Sequence, residues 1–213
     1  LRTSDTLKLT LLFILIGIFS CKSPYKSFEI QENATSKTDF PSLFQNVEKS
    51  LVFKSAIQYK DFHFGGLAVI QRKESGIFRL AFTTKTGAKV LDITLNETQM
   101  NVHYALSLLQ RKPILKLLEN DLRLLLENVK VTNSETLKSS NFDGQIFRLK
   151  HKNHIRYYFF DKNEVLTKIE KGSKSRPKVI LHLNNYQNDF PDSLTFEHQN
   201  LKLKIELSLI QNK

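Results

Sequence analysis

"LSLLQRKPILKLLENDLRLLLENV", residues 106–129, interrupts a chain whose other segments alternate between apolar and polar residues. Pro113 divides it. Beyond the proline, Ile114, Leu117, Leu118, Leu122, Leu125 and Val129 recur at helical spacing, while Lys116, Glu119, Arg123 and Glu127 take the opposite side. The pattern predicts an amphipathic helix over 112–129. Leu115, Leu124 and Leu126 widen its apolar face. A face that broad suits a helix lodged inside a concave sheet.

The segments before it supply such a sheet. From Leu51 the period is two: "LVFKSAIQYK", "FHFGGLAVIQRK", "GIFRLAFTTK", "AKVLDITLN" and "QMNVHYA" are five strands joined by short turns. Phe78, Leu80 and Phe82 share one face, as do Leu91, Ile93 and Leu95. Turns this short join antiparallel neighbours. After the helix, residues 131–144 read as a long loop. Six more strands follow: "QIFRLKH", "HIRYYFFDK", "EVLTKIEK", "PKVILHLNNY", "SLTFEHQ" and "LKLKIELSLI". In the last, Leu201 to Leu209 alternate with Lys202, Lys204, Glu206 and Ser208, giving one core face and one wet face. Ahead of the first strand, Asp39 and Pro41 with Phe40, Leu43, Phe44 and Val47 read as a short capped helix. The expectation is a mainly β (α+β) fold: a curled antiparallel half-barrel of about eleven strands, an N-terminal helix and a central lid helix. A sheet that long curls, and its hollow needs a filling.

The N-terminus carries a different signal. "LLFILIGIFSC", residues 11–21, is too short to span a membrane and follows Arg2 and Lys8. It reads as a secretory signal over 1–20. "IFSC" resembles the lipobox of bacterial lipoproteins, which implies cleavage after Ser20 and acyl chains attached to Cys21, the only cysteine. Those acyl chains are the only covalent group the sequence implies, with no cofactor and no metal. Residues 21–38 then read as the lipidated cysteine and a flexible tether, about 23 Å from end to end, and 39–213 as one folded domain.

The order of elements, with "FRLAFTTKTGAKVLDITL", "PILKLLENDLRLLL" and "FPDSLTFEHQNLKLKIELSLI", resembles the LolA/LolB family of lipoprotein carriers and outer-membrane receptors over about residues 40–210. The resemblance implies a half-barrel whose hollow takes acyl chains without covalent chemistry. Its cavity candidates are Phe78, Leu80, Phe82, Leu91, Ile93, Ile114, Leu118 and Leu122. A lipidated chain is similar to the receptor, anchored in the outer membrane and facing the periplasm, with lipoprotein acyl chains or a periplasmic carrier as partners. The receptor has a protruding leucine in the turn corresponding to Lys85, Thr86 and Gly87. Here Thr86 takes its place, and a threonine has little drive to enter hydrocarbon.

Charge narrows the partners. The chain carries +11, and residues 148–178 hold ten Lys and Arg against Asp161, Glu164 and Glu170. Arg148, Lys150, Lys152 and Arg156 suggest a basic docking face. An exported protein meets anionic head groups rather than nucleic acid; a plain solvated face is the other reading. Nothing marks an enzyme: no HExxH and no GxSxG occurs. His151 and His154 straddle a turn and offer at most a weak metal site. "YYFF" at 157–160 is apolar on both faces, so that strand is either covered twice or presents a sticky patch. Two functions remain: an acyl-chain binder with an open hollow, or a tethered interaction module with a filled one.

Overall fold

The computed structural model describes residues 23–210, apart from Asn33, Thr35, Pro41, Asn46, Glu48, Lys49, Ser75, Asn188 and Asp189. The expected signal peptide, Ser20 and Cys21 lie outside the described residues.

The strands are β1 (Phe28–Ile30), β2 (Asp39–Phe40), β3 (Leu51–Tyr59), β4 (Phe62–Glu74), β5 (Ile77–Thr84), β6 (Lys89–Leu95), β7 (Met100–Ala105), β8 (Val129–Lys130), β9 (Glu135–Ser139), β10 (Phe142–His151), β11 (His154–Asp161), β12 (Leu166–Gly172), β13 (Pro177–Gln187), β14 (Phe190–His198) and β15 (Leu203–Leu209). Thirteen form one antiparallel sheet in the order β1-β9-β10-β11-β12-β13-β14-β15-β3-β4-β5-β6-β7, and β2 pairs with β8. The sheet is open, with β1 and β7 at its edges. Two steps are non-local, β1 against β9 at one edge and, in the middle, β15 against β3, where Leu203 faces Tyr59 and Leu209 faces Phe53. This second step is the larger one. It joins the two runs of strands that flank the helix in sequence.

One α-helix occurs among the described residues, α1 (Lys112–Leu126), preceded by a 3₁₀ turn at Ser107–Gln110. Pro113 sits in its first turn, where a missing N–H costs nothing. It stops at Leu126, short of the expected 129, because Val129 leaves to pair with Phe40.

Alternation sorts every strand into an inner and an outer face. Phe53, Ala68, Ile70, Phe78, Leu80, Phe82, Leu91, Ile93, Phe147, Tyr158, Leu181, Leu194 and Phe196 form one inner cluster with Leu122, Leu124, Leu125 and Leu126 of α1. Gly66 permits β4 and β5 to close on each other. A Cβ there would stand 1.9 Å from the Thr83 carbonyl oxygen and 2.9 Å from the Phe82 ring.

The structure corrects the sequence reading at three places. The eleven expected strands are present as β3–β7 and β10–β15, but four short ones were unforeseen. Residues 131–144, expected as a loop, contain β9 and the start of β10, and Leu137 is fully buried there. The expected N-terminal helix is not formed over its described residues. Asp39–Phe40 is a strand, and Phe44 and Val47 sit in turns closed by bonds from Gln45 N to Ser42 O and Val47 N to Phe44 O. Pairing with Val129 holds Phe40 extended, and both Phe40 and Phe44 still reach the core.

The third correction concerns the tether. Tyr25 stacks on Tyr157 with centroids 4.2 Å apart and donates a hydrogen bond to Glu170 at 2.8 Å. Phe28 packs edge-on against Tyr157 and Phe159, and β1 pairs with β9. Residues 25–30 therefore lie on the outer face, over Leu137, Ile146, Tyr157 and Phe159. This resolves the aromatic run: Tyr158 faces the inner cluster, Tyr157 and Phe159 face the N-terminal segment, and the strand is covered twice.

Candidate functional site

Seven of the eight cavity candidates lie in or against the inner cluster, as alternation and helical spacing lead one to expect. Phe78, Leu80, Phe82, Leu91, Ile93 and Leu122 are buried in the shared cluster. Leu118 packs against it from a half-buried position, and Ile114 is also half-buried. Surface grooves of about 550 and 270 Å³ lie elsewhere, and none of the eight residues lines either.

The two halves of α1 are held differently. From Asp121 to Leu126 every residue is buried, whereas Ile114, Leu115, Leu117 and Leu118 are half-exposed. Polar groups clamp the buried half. His198 and Asp121 meet at 3.0 Å, Lys171 donates to Asn120 at 3.1 Å, and Arg123 bonds the Asn96 and Glu97 carbonyls at 3.0 Å each. Just past the helix, Glu127 takes the Arg156 guanidinium at 2.7 Å and the Lys152 ammonium at 2.6 Å, with His151 at 3.3 Å. Burial raises the Glu127 carboxyl, but His151, Lys152 and Arg156 outweigh it, so its pKa falls below the carboxylate range. Burial raises the Asp121 carboxyl more than His198 lowers it. Burial first, and then Arg156, press Lys171 down to about 8.

This network was unforeseen, although part of it left a trace. Asp121 falls on the apolar stripe between Leu118 and Leu122. A carboxylate at such a position needs a buried partner. That partner, His198, is 77 residues away.

The apolar lining continues past the helix. Ile57 pairs with Phe64 and Tyr59 with Phe62, on the inward-facing parity of β3 and β4. At this end the lining is open: Phe62 is 74% exposed, and Tyr59, Phe64 and Leu201 are exposed as well. Phe64 meets Phe82 of the buried cluster, with centroids 5.6 Å apart.

The basic residues do not form one face. Arg156 is buried on the inner side, opposite Leu149 and next to Lys171. Arg148 stands opposite Tyr157 on the outer side and pairs with Glu135. Lys150 is exposed, and Lys152 turns to Glu127. Strand alternation separates charges that adjoin in sequence. His151 and His154 are register partners, and no group of three or more metal-ligating side chains occurs among the described residues.

Three solved structures align with most of the chain, each at low identity. A LolA superfamily protein from Nitrosomonas europaea aligns with TM-score 0.49 and 11% identity, over 79% of this chain and 87% of that one. A DUF1329 family protein from Desulfovibrio piger gives 0.44 and 9%, over 78% and 85%. A protein described as an outer membrane lipoprotein-sorting domain, from Vibrio parahaemolyticus, gives 0.43 and 10%, over 78% and 86%. No protein-family model and no curated protein sequence matches the chain.

The turn at Lys85, Thr86 and Gly87 is a tight one. Gly87 adopts φ +87°, the Thr84 and Thr86 hydroxyls lie 2.8 Å apart, and Thr84 Oγ1 accepts from the Ala88 N–H. Lys85, Thr86 and Gly87 are exposed, and this turn presents no apolar side chain to a bilayer.

Proposed function

We propose that the protein is a bacterial envelope lipoprotein that binds acyl chains between its inner sheet face and α1, as a binding protein and not an enzyme. One observation carries the reading. The lining runs from the buried cluster through Phe82 and Phe64 to Phe62, beyond the cover of the helix, and remains open there. Contiguous exposed apolar surface of this kind marks a ligand or membrane contact. The helix is suited to admit a chain, because its Lys112–Glu119 half is lightly buried while its C-terminal half is clamped.

Among the described residues no helix is long and apolar enough to cross a membrane, so the reading assigns attachment to acyl chains on Cys21. Cargo transfer into the outer membrane, by the route the LolB turn serves, is not part of it, given Thr86. The burial of the cavity candidates favours a second reading, an interaction module with a permanently filled hollow.

A photoactivatable fatty acid fed to cells expressing the full chain separates the two. Acyl binding puts label on peptides containing Tyr59–Phe64 or Ile114–Leu122. Label absent from both peptides rejects the acyl-chain site and leaves the filled module.

A further inference from the structure

The groove of about 550 Å³ lies on the opposite side of the sheet from the hollow, and its size is that of a small-molecule site. Four rings line it, Tyr25 and Phe28 from the N-terminal segment, Phe142 from β10 and Phe159 from β11, flanked by the polar Ser139, Asn141 and Asn200. Ile180 of β13 also lines it. Three charged side chains border it, and two are already satisfied. Glu170 is buried, with one oxygen accepting from Tyr25 and the other 2.7 Å from Lys168. The Lys168 ammonium also lies over the Phe159 ring, 3.7 Å from its centroid. Arg176 is the exception. Its side chain is exposed and has no carboxylate partner among the described residues. A groove with an aromatic floor, polar flanks and one cation without a carboxylate partner at its rim complements a chain-like amphiphile with an acidic head.

We infer that this outer-face groove is a second ligand site, which takes a single acyl chain along Tyr25, Phe28, Phe142 and Phe159 and its acidic head group at Arg176. The site is independent of the hollow beneath α1, since the sheet separates them. A fatty carboxylate and a lysophospholipid phosphate share the required chemistry. The neutral balance of Lys168 and Glu170 leaves Arg176 to select for charge, and the rings accept any saturated chain.

The test uses the full chain in its membrane fraction and three photoreactive probes: palmitic acid, its methyl ester and lysophosphatidic acid. Label is mapped to the peptides carrying Phe142, Phe159 and Ile180. Arg176→Glu is exposed and leaves the fold intact. It should lower labelling by the acidic probes about tenfold, the value of one charge-assisted contact, and leave the ester unchanged. Ile180→Trp should fill the groove and abolish labelling by all three, with its melting temperature measured to confirm folding. Stronger labelling by palmitic acid identifies a fatty carboxylate, and stronger labelling by lysophosphatidic acid a phospholipid head. Labelling that ignores both Arg176→Glu and the charge of the probe overturns the inference. So does label confined to Phe62 and Leu118, a result that leaves the acyl-chain reading of the hollow standing.

Discussion

Lys171→Met should make the protein more stable at neutral pH. The ammonium is buried beside Arg156 and bonded to Asn120, and burial together with that neighbour lowers its pKa from 10.5 to about 8. Between those values the unfolded chain holds the proton more tightly than the folded one. Stability from this group therefore rises with pH across about 8 to 10.5, and the full penalty applies below pH 8. The difference amounts to about 3 kcal/mol. The substitution keeps the apolar stem and forfeits the Asn120 bond, worth about 1 kcal/mol. The net gain is about 2 kcal/mol at pH 7, falling to near zero at about pH 9.5, where the remaining penalty of about 1 kcal/mol is nearly offset by the lost Asn120 bond. Tyr25, Tyr157, Tyr158 and Tyr186, all raised chiefly by burial, reduce stability as pH rises through about 10 and beyond, so the comparison stops at pH 9.5. Urea unfolding followed by far-ultraviolet circular dichroism at pH 7 and 9.5 measures both quantities. A Lys171→Met protein that is less stable at pH 7, or that keeps the wild-type pH slope, refutes the electrostatic account of the clamp.

Glu127→Gln leaves Arg156 charged and buried without its carboxylate, which should cost about 3 kcal/mol or more in urea unfolding at pH 7. Because the folded Glu127 pKa is lowered, its contribution is present above the unfolded carboxylate range and lost as pH falls through it. The variant should thus show a flatter loss of stability in acid than the wild type. Gly66→Ala meets the Thr83 carbonyl, and soluble yield should collapse, as judged by expression and circular dichroism. Tyr25→Ala removes a stacked ring and the bond to Glu170, and limited trypsin digestion should then cut after Lys26 faster than in the wild type. Cys21→Ser should yield a precursor carrying no acyl label, as read by intact mass.

The long strands were legible because each buries one face in a core, and burial imposes a two-residue period. Phe78–Leu80–Phe82 and Leu91–Ile93–Leu95 show it plainly. The short strands lack the length to show any period. β8 has two residues and β9 only Thr136 and Leu137 buried in a polar run. At Asp39 and Pro41, local signals favoured a helix start, and a contact made ninety residues later overrode them. For the site, the hollow-facing residues were readable because helix and strand parity point them inward. The clamp was not, because Asp121 with His198, and Glu127 with Arg156, are joined only by the fold. The charge run at 148–156 misled for a related reason: on paired strands, neighbours in sequence point to opposite sides. The same parity, applied to Arg156 opposite Leu149, would have placed that arginine inside.

On the proposed reading, the docking of Tyr25 and Phe28 would set how the protein rides on a membrane. A free linker of seventeen residues would let the body drift and tumble above the lipid. With Tyr25 fastened, the chain from Cys21 to Pro24 spans about 13 Å at full stretch. The acyl anchor proposed at Cys21 would then moor the outer face close alongside the bilayer, with the mouth of its groove near the head groups. Casting off would require peeling the Tyr25 ring from Tyr157 and unpairing β1 from β9, so the protein's reach from a membrane would be governed by this docked segment.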